Sequence, residues 1–450
     1  MFSKLGRYVA VLCLYHIAAQ IGSVSADKVL VVLEKDLEQQ DYALTWSSLE
    51  ARGHELCFRD ASERATSTLE ASQFQHILLF APSAKQLPED LNPQRLVEYT
   101  QHGKNLLVAL SPHVSEFWRD FAREFDLEFD DRGTRVIDHF SYDVSLDDDS
   151  SHSVIVVPLS GCRPPFVASE TGAGPPVLYR GIGHAVGRRP LATNILYAPV
   201  TSYSGDPSRV GNLVDDVHLA GTSTGLVTAF QAKNNARITF VGSTDVFSDV
   251  FQSASIESSN GLRQVDLALP NRYPRSGNTA FLSDLTRWTM QETGIIRIDA
   301  TRHYRASDGQ RQDLYRMGEE LAYDVDLVVK DKDTDLSAHL DDLQLEFTML
   351  DPHLRVPLTI SGQSIHGRKG ETAVRYTTSF HAPDRHGVFA LRVDYRRPGW
   401  SFLDEKAVVS VAPSRHDEFE RFITGALPYY GGALSVSVAT LVLVILWTLQ

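Results

Sequence analysis

The sequence predicts an α/β domain with a mostly parallel sheet, then an all-β domain, then one membrane-spanning helix. Three patterns carry that expectation. Short apolar runs alternate with helically spaced segments through residue 298. Runs that alternate apolar and polar residues then take over. Finally, Ala433 to Leu449 carries no charge at all.

Residues 1–26 have the layout of a secretory signal peptide. Lys4 and Arg7 form a positive start, Tyr8 to Ile17 is apolar, and Gln20-Ile21-Gly22-Ser23 is a polar exit. Val24-Ser25-Ala26 offers the small or apolar residues that signal peptidase needs, so cleavage after Ala26 is expected.

The α/β domain is assigned to 27–298. Val29 to Leu33 is a short apolar run, as in a strand buried on both faces. Helical spacing from Gln39 to Arg52 ends at Gly53, a good C-cap. Strands follow at His54 to Phe58 and His76 to Phe80, a helix at Gln94 to Gln101, a strand at Asn105 to Leu110 and a helix at Val114 to Phe125. This βαβα order implies helices on both faces, in the manner of flavodoxin-like or amidotransferase-like folds. After a strand at Val154 to Val157, residues 160–210 are rich in Gly, Pro, Ser and Arg and read as irregular or short strands. Leu226 to Gln231 and Ala236 to Val241 read as a hairpin, because Asn234-Asn235 tolerates the left-handed turn. Residues 252–277 read as a polar loop, and Thr279 to Glu292 as a helix stopped by Gly294.

The all-β domain is assigned to 299–415. Its expected strands are Leu321–Val329, Leu343–Met349, Thr372–Phe380, Gly387–Tyr395 and Lys406–Val411. Phe389, Leu391, Val393 and Tyr395 alternate with polar residues, which suits an immunoglobulin-like sandwich. A linker at 416–428 leads to the span at 429–449. At 1.5 Å per residue that span covers roughly 30 Å, a bilayer core. Tyr429, Tyr430 and Trp447 sit near its two ends, where amphipathic rings prefer the interface. Gly431, Gly432, Ala433, Ser435, Ser437 and Ala439 would let a partner helix approach closely. A cleaved leader plus one C-terminal span gives a type I orientation.

Composition narrows the function. The formal net charge of −14 offers no general basic face for nucleic acid. Three cysteines, one of them in the leader, cannot make a disulfide framework. One bridge between Cys57 and Cys162 is possible, but Cys57 sits in a strand-like run and reads as a small buried apolar residue.

Signs of chemistry are sparse. The first strand leads into Leu33-Glu34-Lys35-Asp36-Leu37, without the glycines of a phosphate-binding loop. Gly172-Ala173-Gly174 reads as a turn. There is no His-Glu-x-x-His and no Cys-x-x-Cys among the 450 residues. Asp138-His139, with Asp143 close behind, is the most site-like cluster. It could coordinate a cation or position a partner, but a strand end bonded to its own loop is the favoured reading. Asp245 and Asp249 follow a strand's C-terminal end, where α/β folds bind ligands. Paired carboxylates there could do acid–base work, but capping of a short helix by Ser243 or Thr244 is favoured. Asp147-Asp148-Asp149 reads as a solvated loop. No catalytic residue, cofactor or metal is assigned.

Several stretches together resemble one family. They are Arg135-Val136-Ile137-Asp138-His139, and Gln231 to Arg237 running on to Gly242-Ser243 and Phe247-Ser248-Asp249. Arg287-Trp288 with Gly294, Leu345-Glu346-Phe347 with Asp351-Pro352, and His386-Gly387-Val388-Phe389 with Val393-Asp394-Tyr395 follow in order. Phe419-Glu420-Arg421-Phe422-Ile423 with Pro428-Tyr429-Tyr430 closes the series. With these the sequence resembles the 48 kDa subunit family of dolichyl-diphosphooligosaccharide–protein glycosyltransferase. The resemblance implies an endoplasmic reticulum complex that moves a glycan from dolichol diphosphate to Asn of Asn-x-Ser/Thr acceptors. It implies a non-catalytic subunit that stabilises the complex beside a multispanning catalytic subunit, in contact with membrane lipid. The translocation machinery is a further partner it allows. It also implies a short basic cytosolic tail. Only Gln450 follows Leu449 here, so residence is expected to come from partner subunits. Two other readings stay open: a lumenal α/β enzyme using Asp138, His139, Asp245 or Asp249, and a type I surface receptor.

Overall fold

The computed structural model describes residues 27–64, 70–159, 162, 165–167, 174–207, 217–258, 263–264, 267–268, 272–330, 340–366, 372–418 and 423–449. The expected signal peptide, Gly172-Ala173 and residues 419–422 of the family-like series lie outside the described residues.

The first half alternates as the sequence suggests: β1 (Lys28–Leu33), α1 (Ala43–Ala51), β2 (Glu55–Asp60), β3 (His76–Phe80), α2 (Pro93–Gln101), β4 (Asn105–Ala109) and α3 (Glu116–Arg123). Local chemistry sets the ends. Gly53 takes φ +92° just past α1. Asn92 Oδ1 accepts from Arg95 N at 2.8 Å, and Pro93 pre-sets the first turn of α2. Alternate strand residues then sort to opposite faces. Val29, Val31, Leu78 and Phe80 pack with Trp46 and Leu49 of α1. Leu30, Val32, Ile77 and Leu79 pack with Leu96 of α2 and Trp118 and Phe121 of α3.

The chain continues through β5 (Leu127–Phe129), β6 (Arg135–Ile137), β7 (Ile155–Val157), β8 (Val177–Tyr179), β9 (His184–Val186), β10 (Ala192–Tyr197), β11 (Tyr203–Gly205), β12 (Gly225–Gln231), β13 (Arg237–Val241), α4 (Asp249–Ser253) and α5 (Asn278–Thr289). The main sheet runs β2-β1-β3-β4-β13-β12-β9-β5, with β10 also paired to β12. It is mixed rather than mostly parallel. β2, β1, β3, β4 and β13 are parallel, whereas β12, β9, β5 and β10 pair antiparallel. The cause is the hairpin itself: a tight turn forces β12 and β13 antiparallel. Asn235 takes φ +67° in that turn. Helices cover both faces, with α5 on the α1 side. The stretch expected as a polar loop holds short two-stranded ladders instead, such as Ile256–Glu257 against Arg272–Tyr273. Cys57 and Cys162 are free thiols.

Two sheets form the second half. One pairs Ile295–Arg305, Glu320–Lys330, Thr372–His381 and Thr359–His366 in that order. The other runs Leu314–Arg316, Leu403–Ala412, Gly387–Tyr395, Gln344–Met349 and Asp351–Pro357. Val325 and Leu327 from the first meet Phe347, Leu391 and Val393 from the second in one core. The strands Ile295–Arg305, Leu314–Arg316, Asp351–Pro357 and Thr359–His366 were not expected from the sequence. Charge hides the first. It carries Arg302 on its exposed side, which joins Arg375 in pairing with the buried Asp326 of the neighbouring strand.

The last helix, α6 (Leu427–Leu449), has 23 residues and no buried residue. Its length is about 35 Å, more than a bilayer core. Ser435, Ser437 and Thr440 turn their hydroxyls back onto the carbonyls of Gly432, Ala433 and Val436, each at 2.8 Å. These three hydroxyls are thus satisfied within the helix, which suits a lipid environment.

Candidate functional site

The four aspartate and histidine positions singled out above do not converge. Asp138 is fully buried. Its Oδ1 accepts from Phe140 N (2.8 Å) and Ser141 N (3.1 Å), and Thr201 Oγ1 donates to its Oδ2 (2.7 Å). The carboxylate folds its own loop. His139 points out to solvent, with Nδ1 2.6 Å from His152 Nδ1 and Nε2 3.0 Å from Tyr203 Oη. Tyr142 stacks on His152 at 4.0 Å. Asp143 is buried and accepts from Ser145 N and Leu146 N, both at 3.0 Å, and from Glu257 N at 2.8 Å. Among the described residues no group of three or more His, Cys, Asp or Glu is placed to hold a metal ion.

Asp245 and Asp249 part company as well. Arg180 Nε donates to Asp245 Oδ2 at 2.6 Å, on the wall of a cleft at the strand ends. Asp249 Oδ1 instead accepts from Leu44 N at 2.9 Å, capping the first turn of α1. Ser248 Oγ accepts from Phe251 N and caps α4 itself. Ser243 Oγ accepts from Val246 N at 3.3 Å in the turn that precedes it.

A dense polar constellation surrounds Arg237 instead. Arg237, at the start of β13, is wholly buried. Its Nη1 donates to the carbonyls of Trp288 (2.6 Å) and Thr293 (2.7 Å), and its Nη2 to those of Gly294 (2.7 Å) and Gly399 (3.4 Å). The guanidinium lies 4.6 Å over the Trp288 ring, and Trp288 Nε1 donates to Gly399 O at 2.8 Å. Burial draws the Arg237 guanidinium down to about 9, so it stays charged at neutral pH. Asn235 brackets Phe402, donating to its carbonyl (3.2 Å) and accepting from its N–H (2.6 Å). Gln231 Nε2 donates to Trp400 O at 2.8 Å. The loop 399–402 lies in the second half of the chain, so these bonds join the α/β part to the β part. Gln231, Asn235, Arg237, Trp288 and Gly294 all belong to the family-like stretches. Gly399-Trp400 was missed, though Arg397-Pro398-Gly399 between two strands is a turn signal.

The two glycines of this joint leave no room for change. Gly294 has φ +66°, and a Cβ there would stand 2.5 Å from Gly399 O. Gly399 has φ +85°, and its Cβ would meet Pro165 Cδ at 2.7 Å. Gly294→Ala and Gly399→Ala should each cost about 1–3 kcal/mol, from left-handed strain plus overpacking. Differential scanning of the full chain would show this as a lowered midpoint. An unchanged midpoint in both variants would mean that the joint yields easily.

Tyr429, Tyr430, Gly431, Gly432, Ala433 and Trp447 are all on α6 and exposed on the helix surface. Thr424–Leu449 is the segment, among the described residues, that is long and apolar enough to cross a membrane.

Two family models match the chain: OST48, N-terminal domain, over residues 20–292, and OST48 middle domain, over residues 303–450. Three relatives carry the name dolichyl-diphosphooligosaccharide–protein glycosyltransferase 48 kDa subunit. The Danio rerio protein is 31% identical over 425 residues, covering 93% of this chain and 91% of its own. The Caenorhabditis elegans protein is 32% identical over 415 residues, covering 91% and 88%. The Arabidopsis thaliana protein is 28% identical over 441 residues, covering 96% of each. With both models and near full-length relatives in agreement, the chain belongs to the OST48 family, that of the 48 kDa oligosaccharyltransferase subunits.

Proposed function

We propose that this chain is a non-catalytic subunit of the oligosaccharyltransferase, acting in protein N-glycosylation. It is a single-pass type I protein of the endoplasmic reticulum membrane, with its two folded parts in the lumen. Its work is to hold the complex together while a multispanning subunit moves the glycan to asparagine. Residues 1–26 serve as the signal peptide, 27–298 and 299–415 as the lumenal domains, 416–428 as the linker and 429–449 as the span. The order β2-β1-β3-β4-β13 supports a flavodoxin- or amidotransferase-like kinship for the first domain. Two sheets sharing one core support an immunoglobulin-like kinship for the second.

The observation that carries this reading is α6, an apolar helix that the chain's own domains leave uncovered on every side. Gly431, Ser435 and Ala439 recur every fourth residue and so share one face, where a neighbouring helix could approach closely. Further support comes from the engaged state of Asp138, Asp245 and Asp249, whose carboxylates serve turns, an ion pair and a helix cap.

The full chain, tagged and purified in mild detergent, should bring a multispanning glycosyltransferase with it. The double variant Gly431→Leu with Ser435→Leu should reduce that recovery at least tenfold, with the thermal midpoint of the lumenal domains unmoved. Recovery of the wild-type chain as a lone monomer would end the proposal.

A further inference from the structure

The parallel strands β1, β3, β4 and β13 end along one edge of the main sheet, and the loops after them wall a cavity of about 370 Å³. That volume falls within the ~300–1,000 Å³ of small-molecule sites. β1 is where the chain changes direction across the sheet, with β2 on one side of it and β3 on the other. The helix after β1 packs on one face and the helix after β3 on the opposite face. The loops leaving these two strands therefore diverge and open a crevice between them. Glu34, the first residue after β1, reaches across it to bond Ser83, after β3, through both the hydroxyl and the N–H.

The lining defines the ligand chemistry. Glu34, Asp36 and Asp245 present carboxylates, and Arg135 and Arg180 present guanidiniums. Both arginines are already neutralised, Arg180 by Asp245 at 2.6 Å and Arg135 by Asp149 at 3.3 Å. Glu34 and Asp36 form no ion pair among the described residues, so the crevice carries residual negative charge. It also lacks the glycine-rich N–H cradle of a phosphate loop. A phosphate would be repelled. A hydroxyl group fits, because it donates to a carboxylate and accepts from a guanidinium in the same ring of contacts.

We propose that this crevice binds a neutral polyhydroxylated ligand, a pyranoside, with Glu34 and Asp36 accepting from its hydroxyls and Arg180 donating to them. The choice of a sugar among neutral polyols rests on the glycosylation reading above; the neutrality does not.

The test uses the full-length chain in a detergent without a sugar headgroup. Methyl glucoside, methyl mannoside and methyl N-acetylglucosaminide are titrated by saturation-transfer NMR, with pyrophosphate and calcium chloride as charged probes. At least one glycoside should bind, and Glu34→Gln and Asp36→Asn should each weaken it tenfold or more. Asp36 is exposed and makes no side-chain hydrogen bond among the described residues, so its variant keeps the fold, which the thermal midpoint verifies. Absence of glycoside binding, equal binding by both variants, or preference for pyrophosphate or calcium overturns the inference. Recovery of partner subunits, measured on the same samples, reports on the scaffold reading separately. A chain that keeps its partners but binds no glycoside sinks the crevice proposal alone.

Discussion

Arg237→Met should destabilise the chain by about 3–5 kcal/mol and uncouple the unfolding of its α/β and β parts. Methionine replaces most of the arginine's volume, so little cavity is left behind. What it removes is the donor set. The carbonyls of Trp288, Thr293, Gly294 and Gly399 each lose a charged donor in a site closed to water. Thr293 O is left without a donor among the described residues, whereas Gln291 N, Ser401 N and Trp288 Nε1 still serve Trp288 O, Gly294 O and Gly399 O. The orphaned Thr293 O costs about 1–3 kcal/mol, and the three lost charge-assisted bonds to carbonyls that keep a second donor add the remainder. Among the described residues no carboxylate pairs with this guanidinium; four carbonyl dipoles and the Trp288 face surround it instead. Arg237→Lys keeps the charge but offers a single nitrogen in place of the planar fork, and should cost roughly half as much. Calorimetry of the wild type should show the α/β and β parts melting together, and Arg237→Met should split the trace. Hydrogen exchange at 399–402 should rise in parallel. A variant that melts within a degree of wild type would show that the joint is held by something else.

The elements that were legible are those whose burial follows a simple local pattern, either continuous or alternating as in Gly387–Tyr395. β1, β3 and β4 are closed on both faces over most of their length and show as nearly continuous apolar runs. Ile295–Arg305 was not legible, because its polar side chains are satisfied by a strand whose identity no local pattern reveals. Asp138-His139 illustrates a second limit. Adjacent residues in extended chain point to opposite sides, so the pair that looked like one cluster became a buried turn-former and a solvent-facing ring. The joint marks a third. Arg237 and Gly399 are separated by 162 positions, and spacing rules say nothing over that distance. One clue was available: a charged residue opening a strand buried on both faces must be paired with something. The hairpin at Asn234-Asn235 was legible and accounts for one antiparallel pair, whereas the pairings of β9, β5 and β10 join segments that no local pattern connects.

Acid should weaken the same domain, beginning well above the carboxylate range. His184 is fully buried, with Nε2 2.7 Å from Thr228 Oγ1, the Phe129 ring 4.7 Å away, and Nδ1 without a hydrogen-bond partner among the described residues. Burial pulls its pKa from 6.5 to about 3. His76 is nearly as enclosed, and burial takes it to about 4 against the upward pull of Asp27. In both cases the folded state refuses a proton that the unfolded chain accepts. Stability is therefore complete above pH 6.5 and falls as pH drops through the window from 6.5 toward 4 and 3. The slope approaches about 1.4 kcal/mol per pH unit for each histidine, and each can withdraw on the order of 3 kcal/mol across its window. The carboxylates act later. Glu292 is pushed up by burial but held below its usual value by His54 and Arg52, so its contribution is lost only near and below pH 4.5. Asp326 is raised by burial, so its protonation near the bottom of the window works in the opposite direction. Between pH 6.5 and 5 the buried imidazoles should dominate. Thermal midpoints of the full chain, measured at intervals from pH 7.5 to 4.5, should fall steadily. Replacing both histidines, His76→Gln with His184→Gln, should lower the midpoint at pH 7.5 and flatten the profile, because glutamine keeps a hydrogen-bonding group and cannot titrate. An equally steep profile in the double variant would place the acid response in other groups.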